Sequence, residues 1–315
     1  MSSNPMIERL NDAINELITD PHTQLVSGDR RLMALLQIAR ELRELPNPDF
    51  KDRLRSGLER NVAMTTKLVT FRPGFRTVTP YILPSNADFL EFLKSVFGGV
   101  ETERTVTSPS RFHAEVRIGD SMMMVGVGSG QSSPAFLSIF VPDADDVTRR
   151  ALESGCTQLE PVHDDYGDRF SCVQDPFGNQ WCIATHLGES HIKENFNTLT
   201  VGLSVVGAAR LVEFMKQAID AQELERQEWP GGFYAAVQVG DSVVTVSESA
   251  NHHWMKPMPT MLYLYVPDAD SWYDRAIRAG GTSIHSPTNH SYGDRTGGVK
   301  DEWGNQWFMA TPLES

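Results

Sequence analysis

The sequence predicts an α+β protein of two tandem domains, each a pair of strand-helix-three-strand (βαβββ) modules, preceded by a helical hairpin. Three observations predict it. Two blocks, Tyr166-Gly167-Asp168-Arg169 and Asp175-Pro176-Phe177-Gly178-Asn179-Gln180-Trp181, return 126 residues later as Tyr292-Gly293-Asp294-Arg295 and Asp301-Glu302-Trp303-Gly304-Asn305-Gln306-Trp307. The likeness runs upstream: Val141-Pro142-Asp143-Ala144-Asp145 returns as Val266-Pro267-Asp268-Ala269-Asp270, Gly119-Asp120-Ser121 as Gly240-Asp241-Ser242, and Glu91-Phe92 as Glu213-Phe214. The spacing drifts from 121 to 126 residues, as small loop insertions between retained elements would make it. Finally, 315 residues exceed one typical core and accommodate two domains of about 120 residues plus an extension.

The elements follow from local pattern. Residues 1–64 form the extension: Ile7, Leu10, Ile14, Leu17 and Ile18 recur at helical spacing after Asn4-Pro5, and Leu32, Leu35, Leu36, Ile38, Ala39 and Leu42 do so after Asp29. A third short helix follows Pro48. The apolar stripe of this hairpin packs on the repeats or drives dimerisation, or else receives a protein partner. Residues 65–76 are a linker, 77–188 the first domain and 189–315 the second. The first domain opens with a strand at Val78 to Leu83 and a helix at 86–97 that carries Phe89, Phe92, Leu93 and Phe97 on one face and stops at Gly98-Gly99. Strands at Glu101 to Thr107, Phe112 to Ile118 and Met122 to Val127 follow, the last two joined by the Gly119-Asp120 turn. The second module repeats the order: a strand at Phe136 to Val141, a helix at 143–154, and strands near 157–161, 169–174 and 180–185. Asp-x-x-Gly-Asn supplies a tight turn before the last strand. Residues 196–312 run through the whole series again.

Composition narrows the function. Forty per cent apolar and 22% charged residues are ordinary for a globular protein, and a net charge of −13 disfavours nucleic acid and anionic membrane faces, which need basic patches. A small molecule or another protein is the expected partner. The N-terminus lacks the apolar core of a signal peptide and there is no apolar run of membrane-span length, so a cytoplasmic location is expected. Cys156, Cys172 and Cys182 form no CxxC pair, which argues against a zinc knuckle or a disulfide framework and leaves Cys182 as a buried structural thiol.

Four βαβββ modules in two pairs, with Gly-Asn turns before the last strands, resemble the vicinal oxygen chelate superfamily of glyoxalase I, bleomycin-resistance proteins and extradiol dioxygenases. Tyr-Gly-Asp-Arg with Asp-Pro-Phe-Gly-Asn-Gln-Trp, preceded by Phe112-His113-Ala114-Glu115, looks most like its PhnB-type branch. The resemblance implies that each tandem pair curls into a cup, and that the repeats form an internal pseudo-dimer. It also implies metal-ligand positions near Thr79, Met122 to Met124, Phe136 and Cys182 in the first cup, and near Thr200, Val243 to Thr245, Met261 and Phe308 in the second. One thiol among hydroxyls and apolar groups does not bind zinc, iron or nickel tightly, so no cofactor is expected unless a displaced site exists.

His113 and Glu115, two apart on a strand and so on one face, are the candidates for such a displaced site or for acid-base chemistry, with His163 or Asp164; alternatively they form a satisfied polar pair. Arg169 and Arg295 stand where the resemblance places anion-holding arginines, and a guanidinium fork suits carboxylate or phosphate; alternatively each makes an ion pair. Strand alternation then aims Gln180, Cys182, Phe136 and Ser138 into one cup and Gln306, Tyr263 and Tyr265 into the other, with Tyr81 on the opening strand. The expected ligand is aromatic or anionic, and Trp254, in a loop found only in the second repeat, is placed to act as a lid.

Overall fold

The computed structural model describes residues 74–313; the expected N-terminal helical hairpin lies outside the described residues. Module one holds β1 (Val78–Ile82), α1 (Asp88–Phe97), β2 (Val100–Ser108), β3 (Arg111–Ile118) and β4 (Ser121–Val127). Module two holds β5 (Phe136–Phe140), α2 (Ala144–Glu153), β6 (Thr157–Asp165), β7 (Asp168–Gln174) and β8 (Gln180–His186). Module three holds β9 (Leu199–Val205), α3 (Ala208–Ile219), β10 (Gln222–Trp229), β11 (Gly232–Val239) and β12 (Ser242–Glu248). Module four holds β13 (Met261–Tyr265), α4 (Ala269–Arg278), β14 (Thr282–Asn289), β15 (Asp294–Lys300) and β16 (Gln306–Pro312).

Each repeated motif does a local structural job. In Val-Pro-Asp-Ala-Asp the first aspartate is a helix N-cap: Asp143 accepts from the amide of Asp146, and Asp268 from those of Asp270 and Ser271. The second aspartate, Asp145 or Asp270, lies in the first helical turn. In Asp-x-x-Gly-Asn-Gln-Trp the buried Asp175 accepts four hydrogen bonds, from the amides of Phe177 and Asn179 (both 2.9 Å) and from Asn179 Nδ2 and Trp181 Nε1 (both 2.8 Å). Asp301 repeats the set with Trp303, Asn305 and Trp307. One carboxylate thus shapes the turn and anchors the tryptophan that fills the core beneath it, since Trp181 and Trp307 are fully buried.

The strands form two eight-stranded sheets, β14-β15-β16-β13-β1-β4-β3-β2 and β10-β11-β12-β9-β5-β8-β7-β6. Their composition corrects the expected pairing. The sheets join module one to module four and module two to module three, through the antiparallel seams β1 with β13 and β5 with β9. Within every module the first and last strands pair in parallel. A module's first strand leaves one edge open, and by sequence any other first strand satisfies it equally well, so order along the chain does not fix the partner. Modules of one repeat still meet through their helical layer, where Phe177 sits edge-on to Phe89 and Phe92 of α1.

Gly-Asp-Ser fixes the crossing. The β3–β4 turn reaches into the second repeat, with Asp120 Oδ1 accepting from Thr198 N (2.9 Å) and Ser121 Oγ from Leu199 N (3.1 Å) at the start of β9. The β11–β12 turn returns the contact: Asp241 Oδ1 accepts from Thr77 N (2.8 Å) and Ser242 Oγ from Val78 N (2.9 Å). Gly119 (φ 57°) and Gly240 (φ 59°) need glycine twice over, for their left-handed backbone and because a Cβ would collide with Thr198 or Thr77. Arg76 bridges both turns through Asp120 (3.0 Å) and Asp241 (3.6 Å).

Candidate functional site: the cup of modules two and three

The two sheets are built alike, yet their concave faces differ, among others at four positions. Where modules one and four carry Tyr81, Met124, Tyr263 and Phe308, modules two and three carry Gly202, Thr245, Ser138 and Cys182. In the outer-module cup Phe75, Met122, Met124, Tyr263 and Tyr265 are buried against one another, with Tyr81 and Phe308 packed on them. Tyr263 donates to Asp294 (2.7 Å), and burial together with that carboxylate pushes its hydroxyl far above the usual tyrosine range. The expectation of an aromatic pocket in this cup is corrected: its aromatic side chains form a packed cluster. Gln306 is half-buried at its margin, across from Met261.

The inner-module cup is open, with a cavity of about 380 Å³. Phe136, Phe140, Phe170, Phe196, Trp229 and Trp254 provide aromatic walls, and Ser138, Cys172, Cys182, Thr245 and Ser247 also line it. The missing side chain at Gly202 makes room for Phe136, whose ring occupies the space a Cβ would take. Of the expected ligand-binding residues, the structure brings Phe136, Ser138, Cys182 and Trp254 together here. Gln180 is buried at the start of β8, beside Phe136 in register.

Register aligns one row across the floor. Glu160 lies opposite Cys172, Cys172 opposite Cys182, Cys182 beside Ser138, and Ser138 opposite Thr200, so these side chains share a face. Cys172 and Cys182 are joined by a disulfide with their Cα atoms 4.3 Å apart. The expectation that Cys182 is a lone thiol is therefore corrected. The signal was present: once the turn between Asp175 and Asn179 is placed, residues 172 and 182 fall directly opposite on the hairpin. Cys156 is free and buried, and desolvation, with a lesser effect from Asp175, pushes its thiol up to about 12.

The mouth is polar and mostly acidic. Among the described residues, Asp165, Asp168 and Glu225 line it with a single ammonium, Lys193, which pairs with Glu225 at 3.1 Å. Asp168 Oδ1 lies 2.6 Å from His186 Nδ1, and Gln227 donates to Glu225 at 2.6 Å. Burial raises the Tyr234 hydroxyl above its usual range, with Glu225 and Asp168 adding to it. Tyr166, 74% exposed, and Trp229, 49% exposed, flank the entrance. From the other side the loop after β12 brings Trp254 over the cavity, edge-on to Phe136 at 6.3 Å. It is latched at Glu160 Oε2, which accepts from Trp254 Nε1 (3.1 Å) and lies 3.0 Å from His253 Nε2. The sequence pattern does not single out Glu160, which module two itself places opposite Cys172, nor Lys193, Phe196 and Glu225, which join the cup through the crossing of modules two and three.

The arginines are placed elsewhere. Arg169 clasps both oxygens of Asp145 and reaches Asp164 at 2.9 Å; Arg295 clasps Asp270 (2.5 and 2.7 Å) and Asn289 (2.9 Å). Tyr-Gly-Asp-Arg and Val-Pro-Asp-Ala-Asp thus meet in both repeats, tying a sheet strand to the first turn of a helix, and this corrects the expected anion-holding role. The guanidinium holds Asp145 below the usual carboxylate range, and Arg295 does the same to Asp270. The composite of His113 and Glu115 with His163 or Asp164 is not assembled either. His113 and Glu115 lie on β3 of one sheet, His163 and Asp164 on β6 of the other. Instead His113 Nδ1 lies 3.3 Å from the Tyr81 hydroxyl, and His163 Nδ1 lies 2.8 Å from the carbonyl of Pro161. Among the described residues no group of three or more His, Cys, Asp or Glu is placed to hold a metal ion.

Paired βαβββ modules closing eight-stranded cups define a protein of the vicinal-oxygen-chelate class. A family model described as the Glyoxalase/Bleomycin resistance protein/Dioxygenase superfamily matches residues 197–309, and the chain belongs to that superfamily. Uncharacterized proteins of Mycobacterium bovis and Mycobacterium tuberculosis are each 30% identical over 126 residues, which is 36% of this chain and 83% and 74% of theirs. Among solved structures, glyoxalase I from Zea mays has a TM-score of 0.60 at 12% identity, covering 74% of this chain and 92% of its own. A putative dioxygenase from Bacillus subtilis has a TM-score of 0.54 at 12% identity, covering 75% and 85%. At such identity the likeness is one of fold.

Among the described residues no helix is long and apolar enough to cross a membrane.

Proposed function

We propose that the protein binds a planar aromatic small molecule of neutral or positive charge in the inner-module cup, and does so without a metal. The observation that carries this reading is the contrast between two cups of one architecture: one packed with its own aromatic side chains, the other holding a cavity of about 380 Å³ with aromatic walls. A concave, mostly apolar site with a few converging polar groups is the usual form of a small-molecule site. Ring stacking against Phe136, Trp254 and Phe196 supplies affinity, and the carboxylates of Asp165, Asp168 and Glu225 set the preferred charge. The anionic alternative lacks support because, among the described residues, the one ammonium at the mouth already pairs with Glu225 and the two arginines are engaged outside the cavity.

The metal positions that the superfamily implies do not fit a divalent ion. In this cup they hold Thr200, Thr245, Phe136 and a sulfur bound in a disulfide; in the other, Thr79, Met124, Met261 and Phe308. None offers imidazole, carboxylate or thiolate. We assign the protein to the PhnB-like branch on its two motif pairs, and a binding rather than catalytic role on the separation of His113 and Glu115 from this cup.

Proflavine, a planar cation, and anilinonaphthalene sulfonate, an aromatic anion, are suitable probes. Ser138→Tyr copies the outer cup's Tyr263 into the open one. The expected result is saturable proflavine binding at one site per chain, a higher melting temperature with ligand, and affinity about tenfold or more lower in the variant. Equal proflavine affinity in a folded Ser138→Tyr protein, or preference for the sulfonate, overturns the reading.

A further inference from the structure

The disulfide sits where a structural cross-link is least needed and best reached. Its hairpin, β7–β8, has a twin in β15–β16, and there the matching positions are Gly298 and Phe308, paired in the same register with no cross-link. The fold therefore makes this hairpin without a disulfide. The cross-link is found only in the open cup, and both of its residues line the cavity. The two cysteines are not equivalent, since Cys172 as a whole residue is 0% exposed whereas Cys182 is partly exposed. Accessibility of one sulfur and shelter of its partner is the arrangement by which an exchange centre accepts a thiol at one position and resolves it from the other.

We propose that the Cys172–Cys182 disulfide is a thiol–disulfide exchange site that takes a small aliphatic thiol through the inner-module cup. A thiolate attacks Sγ of Cys182, the Cys172–Cys182 bond breaks, and its electron pair leaves on Sγ of Cys172, which takes up a proton. The product is a mixed disulfide between the incoming thiol and Cys182. Cys172 then either re-forms the protein disulfide and releases the thiol, or a second thiol attacks the mixed disulfide. In the second case two thiols become one small-molecule disulfide and the protein gains two cysteine thiols, so atoms and electrons balance. The acidic mouth, Asp165, Asp168 and Glu225 against Lys193, favours an aminothiol over a thiol bearing an acid. Glu160 stands opposite Cys172 and latches Trp254, so the exchange site lies under the loop that covers the cavity. The proposal shares with the binding proposal only the assumption that small molecules enter this cup.

The test uses the full chain in its oxidised form. Alkylation under denaturing conditions counts free thiols first: one, Cys156, is expected, and three would overturn the proposal. The native protein is then treated briefly with cysteamine or with mercaptoethane sulfonate, quenched in acid and weighed intact. Cysteamine is expected to add one equivalent, mapping to Cys182, about tenfold faster than the sulfonate, and Ser138→Tyr is expected to slow it by a similar factor. In Cys172→Ser, which has no resolving thiol, cystamine is expected to leave a stable adduct at Cys182; in Cys182→Ser the sheltered Cys172 stays unmodified. A disulfide that reacts only after denaturation, or equally fast when the cup is filled, overturns the proposal. Loss of proflavine binding with exchange intact would refute only the binding reading, and an inert native disulfide with proflavine binding intact would refute only this one.

Discussion

Asp175→Ala removes the carboxylate around which the turn before β8 is built. Four donors lose their acceptor: the amides of Phe177 and Asn179, Asn179 Nδ2 and Trp181 Nε1, at 2.8 to 2.9 Å. Hydrogen bonds to a charged group contribute about 1.5–3 kcal/mol each, but the wild type bears an opposing cost for burying the charge. That cost is visible in Asp175, where burial raises the carboxyl above its ordinary value despite the four bonds that lower it. The net loss is therefore well short of the sum, about 3–5 kcal/mol, the order of two or three buried donors left unsatisfied at about 1–3 kcal/mol each. Urea unfolding at neutral pH, followed by tryptophan fluorescence, measures it. The sign of the pH dependence is a second check. A raised folded value means that the stability contributed by this titration is fully present below the unfolded value and is lost as pH rises through the folded one, so the wild-type advantage over the variant narrows from acid toward neutral pH as far as this group is concerned. A loss below about 1 kcal/mol would refute the assignment of the motif to structure.

The remaining predictions concern the other repeated motifs. Arg169→Ala should lower the melting temperature while leaving proflavine affinity unchanged, and Arg169→Lys should not restore the loss, because lysine lacks the planar fork that clasps Asp145. The folded value of Asp145 is depressed, so the pair's contribution is present above the ordinary carboxylate range and fades as pH falls through the depressed value; wild type and variant should therefore converge in acid. A weakened affinity at unchanged stability would show that Arg169 serves the ligand after all. Gly119→Ala, forcing a Cβ into left-handed backbone and against Thr198, should cost about 1–3 kcal/mol, and Thr198→Ala should recover part of it in the double variant; additive losses would contradict the contact.

The module order and nearly every strand were legible because repetition separates signal from accident: a motif met twice at fixed spacing must serve a local geometry. The turn, the helix cap and the Gly-Asp-Ser clasp are such geometries, each satisfied within a few residues or at one strand start. The partner of each module was not legible, since it depends on which open edges meet, and β1 and β9 carry the same pattern. That one fact regrouped the site. Strand alternation sets Phe136, Ser138 and Cys182 on one face of their sheet, but Lys193, Phe196, Glu225 and Trp254 join them only because module three completes that sheet. Arg169 was conspicuous as a charge in a motif, and the sequence held no sign that its clasp was Asp145, 24 residues away.

The central claim is that one cup is open to ligand and its twin is filled by its own side chains. A crystal structure of the chain soaked with proflavine tests it most directly. The account predicts one dye molecule per chain in the inner-module cup, its ring between Phe136 and Trp254 and its positive charge toward Glu225 and Asp168; a dye seated in the outer cup among Tyr81, Tyr263 and Phe308, or a density confined to the surface, would contradict it.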